Sequence, residues 1–401
     1  MATGKGEGNM TEEKKSKAIE KHLEWQGKIE VITRAKIETM EDLAIAYTPG
    51  VAEPCLEIAR NEELAYEYTR KGNLVAVITD GTAVLGLGDI GPSAGMPVME
   101  GKCALFKRFA GIDAFPICIN SKDPEEIVAT IANISKSFGG INLEDISAPR
   151  CFEIEEALKE KCDIPVFHDD QHGTAIIVAA ALLNAVRVTG KTMGELRIVI
   201  NGAGAAGISI AKLILQMGFG SVILCDREGI VHSGAPSNNF MQEEMCRVTN
   251  PEGIKGSLAD AMVGADIFVG VSRPGMVTRE MVRSMAKDPI VFAMANPVPE
   301  ILPDDAKAAG AAVVGTGRSD FPNQVNNVLA FPGVFKGLLS VRAKRVTDSM
   351  KEEAAKALAD VIAPEELSPE YVLPNAFDPR AAEVIADAVA KEAVRLGLNR
   401  I

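Results

Sequence analysis

Short apolar runs alternate with amphipathic stretches along most of the chain. In the first half, "NLVAVITDG", "AFPICIN" and "GGINLEDI" predict buried strands, "EGKCALFKRFAGI" and "DPEEIVATIANISKSF" predict helices, and "LGLGDIGPSAGMP" predicts a glycine-rich loop. In the second half, five β-branched runs each lead into Gly, Pro or Asp: "LRIVINGAGAAG", "SVILCDREG", "ADIFVGVS", "PIVFAMANP" and "AAVVGTGRSD". Strands that alternate with helices predict an α/β fold with a doubly wound, largely parallel sheet.

The length of 401 residues suits two domains, on a prior of roughly 150 residues for each. We place the boundary near residue 160. This gives an N-terminal α/β domain over 1–160 and a Rossmann-type dinucleotide-binding domain over 161–401, with a helical C-terminal segment over 346–401. Residues 1–10 are expected to fray, and Thr11, Glu12 and Glu13 to cap a charged helix.

Composition narrows the function classes. The formal net charge of −13 disfavours general binding to nucleic acid or anionic membranes, because both draw on surplus Lys and Arg. The seven cysteines form no Cys-x-x-Cys pair, which fits a reducing compartment. The N-terminus lacks the apolar core of a signal peptide, and the longest apolar run is shorter than the ~20 residues of a membrane span. We expect a cytoplasmic protein without membrane or nucleic-acid partners.

The run "IVINGAGAAG" places a glycine motif directly after a β-branched strand and before a helical pattern, which is the context of a dinucleotide-binding turn. Gly202 allows the tight turn, Gly204 lets the backbone approach a pyrophosphate, and Gly207 permits close helix packing. The helix start at Ala205 and Ala206 supplies free N–H groups for the phosphates. The motif predicts an NAD or NADP site.

The acid at the end of the next strand bears on the choice of cofactor. Asp226 follows Gly202 by 24 residues, where a carboxylate can bind both ribose hydroxyls of the adenosine half. This favours NAD, because the 2′-phosphate of NADP would meet a like charge. Arg227 follows directly and could offset that repulsion, so NADP remains possible.

Two acidic pairs stand where strands are predicted to end. Glu144 and Asp145 follow "GINL", and Asp169 and Asp170 follow "PVFH". Ligands of open α/β sheets collect at the carboxyl ends of strands, so both pairs can face one crevice and hold Mg²⁺ or Mn²⁺ by hard oxygen ligands. The alternative is that both pairs are solvated at the starts of loops.

Other titratable residues lie near these pairs. His168 and His172 flank the second pair, and we interpret them as orienting or packing residues because no Cys or His stands at structural-zinc spacing. Lys102 lies near the start of a predicted helix, where the helix dipole and partial burial predict a lowered pKa and hence a general base. Alone, such a lysine is more often a solvated helix residue.

Together these motifs resemble the malic enzymes, in their short bacterial-type form. The matching stretches occur in the family's order and cover most of residues 45–335: "AYTPGVAEPC", "TDGTAVLGLGDIGPSAGMPVMEGKCALF", "INLEDI", "FHDDQHGTAIIVAAALLNA", "INGAGAAG", "ANPVPE" and "NQVNNVLAFPG". The tail "LPNAFDPRAAEVIADAVA" also looks like the C-terminal end of that family.

The resemblance implies oxidative decarboxylation of (S)-malate to pyruvate and CO₂, with NAD or NADP and Mg²⁺ or Mn²⁺, in a homodimer or larger homo-oligomer. It also implies decarboxylation of oxaloacetate. The roles it implies are metal ligation by Glu144, Asp145 and Asp170, support of the metal or the base by Asp169, general base Lys102, general acid Tyr47, substrate contacts by Asn296 and by Asn326 or Asn327, and a cofactor contact by Thr174.

One position departs from eukaryotic relatives, which carry an arginine for the substrate carboxylate where this chain has Ala83. The resemblance therefore implies a positive charge from elsewhere, such as Arg318 or a partner subunit. Tyr47 could likewise serve a neighbour's cleft.

Two alternatives stay open at this point. One is a metal-free amino-acid dehydrogenase, which also joins a lysine-bearing domain to a dinucleotide-binding domain but gives the acidic pairs no role. The other is a catalytically inactive NAD-sensing or scaffold protein.

Overall fold

The computed structural model describes residues 16–84 and 86–401. The predicted cap at Thr11, Glu12 and Glu13 lies outside these residues. The first described helix begins at Lys17, and the Ser16 hydroxyl caps it by accepting a hydrogen bond from the Ile19 N–H.

Helices and short parallel strands alternate along the described chain, as the hydrophobic pattern predicts. The helices are α1 Lys17–Trp25, α2 Met40–Ala46, α3 Ala52–Arg60, α4 Ala65–Tyr68, α5 Pro92–Ala110, α6 Pro124–Ile134, α7 Arg150–Lys161, α8 Thr174–Thr189, α9 Ala205–Gln216, α10 Phe240–Met245, α11 Leu258–Met262, α12 Arg279–Arg283, α13 Pro303–Ala308, α14 Phe331–Ser340, α15 Asp348–Ala359 and α16 Pro379–Arg395. The strands are β1 Leu74–Thr79, β2 Asp113–Cys118, β3 Gly140–Leu143, β4 Val166–His168, β5 Arg197–Asn201, β6 Ser221–Asp226, β7 Gly229–Ile230, β8 Ile267–Gly270, β9 Ile290–Ala293 and β10 Val313–Thr316.

The first sheet contains four parallel strands in the order β2-β1-β3-β4. Strands β3 and β4 are buried along their whole length, as expected for parallel strands covered by helices. Because the strands are parallel, their carboxyl ends share one edge. The acidic pairs that follow β3 and β4 therefore lie side by side.

The second sheet has the order β10-β9-β8-β5-β6-β7. Its five predicted strands all form and are parallel, and the unpredicted two-residue β7 pairs antiparallel to β6. The chain runs outward from β5 in both directions, so β5 is the switch point at which open α/β sheets bind ligands. The glycine motif follows β5, and the predicted α/β fold is confirmed.

The predicted start of helix α5 is wrong by about two turns. The helix begins at Pro92, not near Glu100, and includes Pro97. Gly91 has a φ of 81°, which ends the preceding loop, and Pro92 has the fixed φ that suits a first helical turn. The density of Gly and Pro therefore hid the helix start from sequence reasoning. Lys102 lies in the middle of α5.

The first sheet extends past the predicted boundary at residue 160, because β4 pairs with β3. The C-terminal helices also pack towards this sheet: the rings of Phe331 and Phe335 meet Phe106 of α5 edge-on, at centroid distances of 4.7 and 5.2 Å. We therefore propose that the first domain reaches at least to β4 and that α14 to α16 cover both domains. The boundary at residue 160 stays a prediction.

The segment Asp169–Thr189 is long and apolar enough to cross a membrane, but 72% of its most apolar window is buried inside the protein. Its buried Asn184 donates hydrogen bonds to the carbonyls of Ala359 and Val372, at 2.9 and 3.1 Å. This segment therefore behaves as a core helix of the fold. It starts at the acidic edge of the first sheet and packs against α9 of the second domain.

Candidate active site

Three carboxylates meet at the carboxyl edge of the first sheet. Glu144, Asp145 and Asp170 each offer an oxygen atom, and these oxygens all lie within 4.8 Å of one another. Glu144 and Asp145 are buried, and Asp145 has a φ of 54°, a left-handed conformation that aspartate adopts more readily than most residues. The predicted convergence of the two acidic pairs is therefore present in the structure.

The second pair stands on a single turn of π-helix, Asp169–Gly173, between β4 and α8. We call this segment the π-turn. A Cβ atom added at Gly173 would lie 1.8 Å from Asp169 Oδ1, so this position requires glycine. On the cleft side, Asp170 Oδ2 accepts the Asp145 N–H at 2.7 Å. Turns of π-helix are rare and often mark functional sites.

Lys102 lies between two carboxylates. Its Nζ is 2.6 Å from Asp169 Oδ2 and 2.9 Å from Glu144 Oε1, and it stands 4.3 Å from the centre of the Phe331 ring. Burial alone would lower the pKa of Lys102, but attraction to Asp169 and Glu144 outweighs it and raises the pKa above its usual value. The prediction of a lowered pKa is wrong for this state, because the helix starts earlier and the carboxylates come from distant strands.

The carboxylates themselves resist ionisation. Burial raises the pKa of Asp169 to about 7, and burial also raises that of Glu144. Asp170 keeps about a third of its side-chain surface exposed, yet loss of surrounding water and the charge of Asp169 raise its pKa to about 6. Like charges this close favour a bound cation.

The donor set fits a hard divalent cation. Glu144, Asp145 and Asp170 offer only oxygen, as Mg²⁺ and Mn²⁺ prefer. The fully buried Asn142 donates to the second oxygen of Glu144 at 2.9 Å and so orients that side chain. Within the described residues, neither His168 nor His172 belongs to a metal-binding group.

The second cleft lies at the switch point of the second sheet. A cavity of about 450 Å³ is lined by the glycine turn and by Asp226, Arg227 and Arg273. Gly202 has a φ of 120°, and a Cβ atom at Gly207 would lie 1.9 Å from the Gly202 carbonyl oxygen. The predicted reasons for glycine therefore hold at two positions: the tight turn at Gly202 and the close packing at Gly207.

Asp226 is held in place at the rim of this cavity. Its Oδ1 accepts the Glu228 N–H at 2.8 Å, and its Oδ2 accepts a hydrogen bond from Gln242 Nε2 at 3.2 Å. Gln242 also donates to the carbonyl of Ala203 at 3.3 Å. Sequence reasoning missed Gln242, although Asn239 and Gln242 form a capping box that predicts the start of α10.

A second missed residue is Glu300, which is 0% exposed. Its carboxylate accepts the Ser272 N–H at 2.8 Å and the Ala295 N–H at 3.0 Å, and so joins the loops that follow β8 and β9. Ser272 in turn accepts a hydrogen bond from Asn201 at 2.8 Å. The sequence signal for Glu300 was its place at the end of the family-like stretch "ANPVPE".

Asn296 lies where loops of both domains meet. A Cβ atom at Gly86 would lie 2.8 Å from the Asn296 carbonyl oxygen, and one at Gly317 would lie 2.8 Å from its side-chain nitrogen. The adjacent Arg318 donates to the Pro297 carbonyl at 3.1 Å and pairs with Asp320 at 2.6 Å. Asn296 is therefore a neighbour of the glycine-rich loop of the first domain, and Arg318 contacts the residue that follows Asn296.

The two asparagines of "VNN" have different contacts. Asn327 donates to Asp169 Oδ2 at 2.5 Å, so it touches the carboxylate that pairs with Lys102. Asn326 accepts the Val328 N–H at 3.0 Å and caps a short turn. Thr174 begins α8 directly after the π-turn.

Tyr47 is the one predicted catalytic residue that the described chain leaves far outside the buried cluster. It ends α2, its surface is 67% exposed, and no hydrogen bond joins it to Lys102 in the part of the chain that the structure describes. Many large exposed apolar side chains belong to the same N-terminal segment, 19–68: Ile19, Leu23, Trp25, Val31, Ile32, Ile37, Met40, Leu43, Ile45, Val51, Leu56 and Tyr68.

Comparison with known proteins agrees with this geometry. The family model for the malic enzyme N-terminal domain matches residues 26–159, and that for the malic enzyme NAD-binding domain matches residues 171–394. The chain belongs to the malic enzyme family. The first match contains Lys102, Glu144 and Asp145, the second contains the glycine turn and Asp226, and Asp169 and Asp170 lie between the two matches. The family membership confirms the resemblance seen in the sequence.

Similar malic enzymes cover nearly the whole chain. It is 54% identical to the bifunctional malic/malolactic enzyme of Bacillus subtilis, over 96% of this chain and 95% of that one. It is 49% identical to an NADP-dependent malic enzyme of Halomonas elongata, over 98% and 96%. The crystal structure of an NAD-dependent malic enzyme from Thermotoga maritima has a TM-score of 0.91 and 47% identity, over 94% and 99%.

The steric demand at the π-turn leads to a first prediction. Gly173→Ala should lower the free energy of unfolding by about 2–4 kcal/mol, because the added methyl group collides with Asp169. The matched control is Gly101→Ala in helix α5, where nothing lies within 4 Å of an added Cβ. That change should be neutral or stabilise by about 0.5–1 kcal/mol. Urea denaturation of both variants checks this, and equal stabilities would contradict it.

Proposed function

We propose that this chain catalyses the oxidative decarboxylation of (S)-malate to pyruvate and CO₂ with reduction of NAD or NADP, assisted by a divalent cation held by Glu144, Asp145 and Asp170. The observation that carries the proposal is the meeting of three ligand oxygens, within 4.8 Å of one another, beside the buried Lys102. Membership of the malic enzyme family supports the reaction, and oxygen-only ligands support Mg²⁺ or Mn²⁺.

The proposed chemistry begins with loss of the C2 hydroxyl proton from malate as hydride leaves C2 for the nicotinamide. Lys102 accepts that proton. Lys102 must therefore be neutral when malate reacts, and the carboxylate of Asp169, 2.6 Å away, is in direct contact to take its proton. Asn327 steadies Asp169 from the other side.

A cation held by Glu144, Asp145 and Asp170 would supply Lewis-acid polarisation of the C2 oxygen and would balance the charge that develops on decarboxylation. The chain's own residues hold the substrate. We assign Asn296 to a carboxylate group of malate because its backbone adjoins Gly86 of the glycine-rich loop, and Arg318 because it donates to the carbonyl of the neighbouring Pro297. Arg318 would exchange its pairing with Asp320 for a substrate carboxylate. Without a cofactor, the same site should decarboxylate oxaloacetate.

We propose NAD as the preferred cofactor. Asp226 is fixed by two hydrogen bonds at the cavity rim, where its charge opposes a 2′-phosphate. Arg227 is directed towards Glu228, at 3.4 Å, and most of its side chain is in solvent. Related enzymes are named for NAD or for NADP, so the preference rests on Asp226.

We further propose a homodimer in which Tyr47 of one subunit completes the cleft of the other. Tyr47 is exposed while Lys102 is buried, and the many exposed apolar residues of the segment 19–68 that carries Tyr47 suit contact with a second copy. There Tyr47 of the partner subunit would protonate C3 after CO₂ leaves. The cytoplasmic location stays a prediction.

The metal site is tested by Asp170→Asn. The change should weaken Mn²⁺ binding on the order of 100-fold, because it removes a charged ligand while keeping the shape of the side chain. Free Mn²⁺ measured by electron paramagnetic resonance gives the affinity directly. Asp304→Asn, at an exposed position on α13, is the control and should bind as the wild type does. Equal affinities in the two variants would refute the site.

Cofactor preference is tested by Asp226→Ala. Removing the carboxylate should shift the ratio of kcat/KM for NADP over NAD upward by about tenfold or more. Steady-state kinetics with both cofactors measures the ratio. Glu252→Ala, another exposed acid of the second domain, is the control and should leave the ratio unchanged. A ratio unaltered in Asp226→Ala would remove the assigned role.

The shared cleft is tested by mixing two inactive variants, Tyr47→Phe and Lys102→Ala. If Tyr47 acts across the interface, a mixed dimer has one site with both changes and one site with neither. Subunit exchange should then restore about a quarter of wild-type activity at equal mixing. Each variant alone supplies the baseline. Failure to recover activity, with mixed dimers demonstrated by mass spectrometry, would place Tyr47 in its own subunit's cleft.

A further inference from the structure

The π-turn has two faces with different partners. Asp169 and Asp170 face the cleft, where they contact Lys102 and the Asp145 backbone. His172 lies on the other face, against helix α7 and helix α15. The cleft side is explained by the proposed chemistry, but the buried polar contacts of His172 are not.

His172 links two ionic groups. Its Nε2 is 2.6 Å from Glu155 Oε1, and Lys351 Nζ is 3.2 Å from its Nδ1. An ammonium group can only donate, so Nδ1 accepts and the ring proton lies on Nε2, which donates to Glu155. The contacts therefore run in one direction, from Lys351 through His172 to Glu155.

Both ends of this chain of contacts are anchored. Glu155 is buried in α7 and also pairs with Lys159 at 3.1 Å. Lys351 of α15 has an 11% exposed side chain and pairs with Asp348 at 2.6 Å. Helix α15 also packs against α8, which follows the π-turn. The π-turn is therefore held on the side of His172 by α7 of the first domain and by α15.

We propose that His172, held between Glu155 and Lys351, is a positioning residue that fixes the rotation of the π-turn so that Asp170 reaches the same cation as Glu144 and Asp145. The inference rests on the metal site proposed above. A single π-helical turn needs support from outside its own hydrogen bonds, and partners beyond the metal ligands commonly set ligand orientation. His172 and Asp170 are two residues apart on this turn. Loss of the contacts of His172 should therefore make the position of the Asp170 side chain less well defined.

The experiment measures Mn²⁺ dissociation constants by electron paramagnetic resonance and NADH dissociation constants by fluorescence. His172→Leu removes both contacts, and Lys351→Met removes the far anchor. Each should weaken Mn²⁺ binding by about tenfold or more. The affinity for NADH should stay within about twofold, because the dinucleotide cavity lies on the second sheet.

Lys356→Met is the matched control. Lys356 is on the same helix as Lys351, and its ion pairs with described residues are those with Glu352 and Glu353, so its loss should leave Mn²⁺ binding unchanged. His172→Gln offers an amide donor towards Glu155 and should recover part of the affinity lost in His172→Leu. A residue that merely fills space would show the reverse order, because leucine is the apolar replacement.

The outcomes separate the two proposals. If the wild-type protein does not bind Mn²⁺, the proposed metal site is refuted, and so is the proposed role of His172. If the wild type binds and both His172→Leu and Lys351→Met bind equally well, only the positioning role is overturned. An equal loss of NADH affinity would also overturn it, since that marks a general structural defect. If His172→Leu does not fold, the Mn²⁺ affinities of Lys351→Met and Lys356→Met are compared instead, and equal affinities would overturn the positioning role.

Discussion

Four carboxylates crowd the ends of β3 and β4, and among the described residues the ammonium group of Lys102 lies within 2.9 Å of two of them. Burying like charges is unfavourable unless a positive charge is near, and one lysine does not balance four acids. The raised pKa values of Asp169 and Asp170 are the direct consequence. Neighbouring side chains reduce this imbalance. Asn142 and Asn327 donate neutral hydrogen bonds to Glu144 and Asp169, and the oxygens of Glu144, Asp145 and Asp170 converge on a place suited to a cation.

In both domains the functional residues lie at the carboxyl ends of parallel strands, but the residue types differ. In the first sheet the carboxyl ends carry acids, whereas in the second they carry glycines and the buried Glu300, which ties two loops together. Helix α8 connects the two ends physically, because it starts at the π-turn and packs against the dinucleotide helix α9. Asn296 lies where the loops of both domains touch. The proposed reaction would need one site for metal-assisted proton transfer and one for hydride transfer, and the packing of α8 against α9 joins the elements that carry them.

In the proposed dimer, the cleft of one chain takes its acid, Tyr47, from the partner subunit. Tyr47 is exposed, in a segment where helices α1 to α4 bury none of their residues. A segment that packs so little on its own chain gains stability from a partner. Assembly and catalysis would then depend on the same contact. The loss of the eukaryotic arginine at Ala83 fits a site that draws its charges from other loops, with Arg318 beside Asn296 as the candidate.

The sequence by itself determined the alternation of strands and helices, the glycine turn after β5, and the acids at the ends of β3 and β4. These features are local: side-chain periodicity and turn chemistry act over a few residues, and parallel strands then align their ends without further information. Only the tertiary structure decided the charge state of Lys102, whose partner Asp169 is 67 residues away, and the contact of His172 with Lys351, which is 179 residues away. Gln242 and Glu300 likewise gain their roles from the loops that they reach. No local pattern encodes which distant groups will share a buried volume, because that depends on how whole helices and sheets pack.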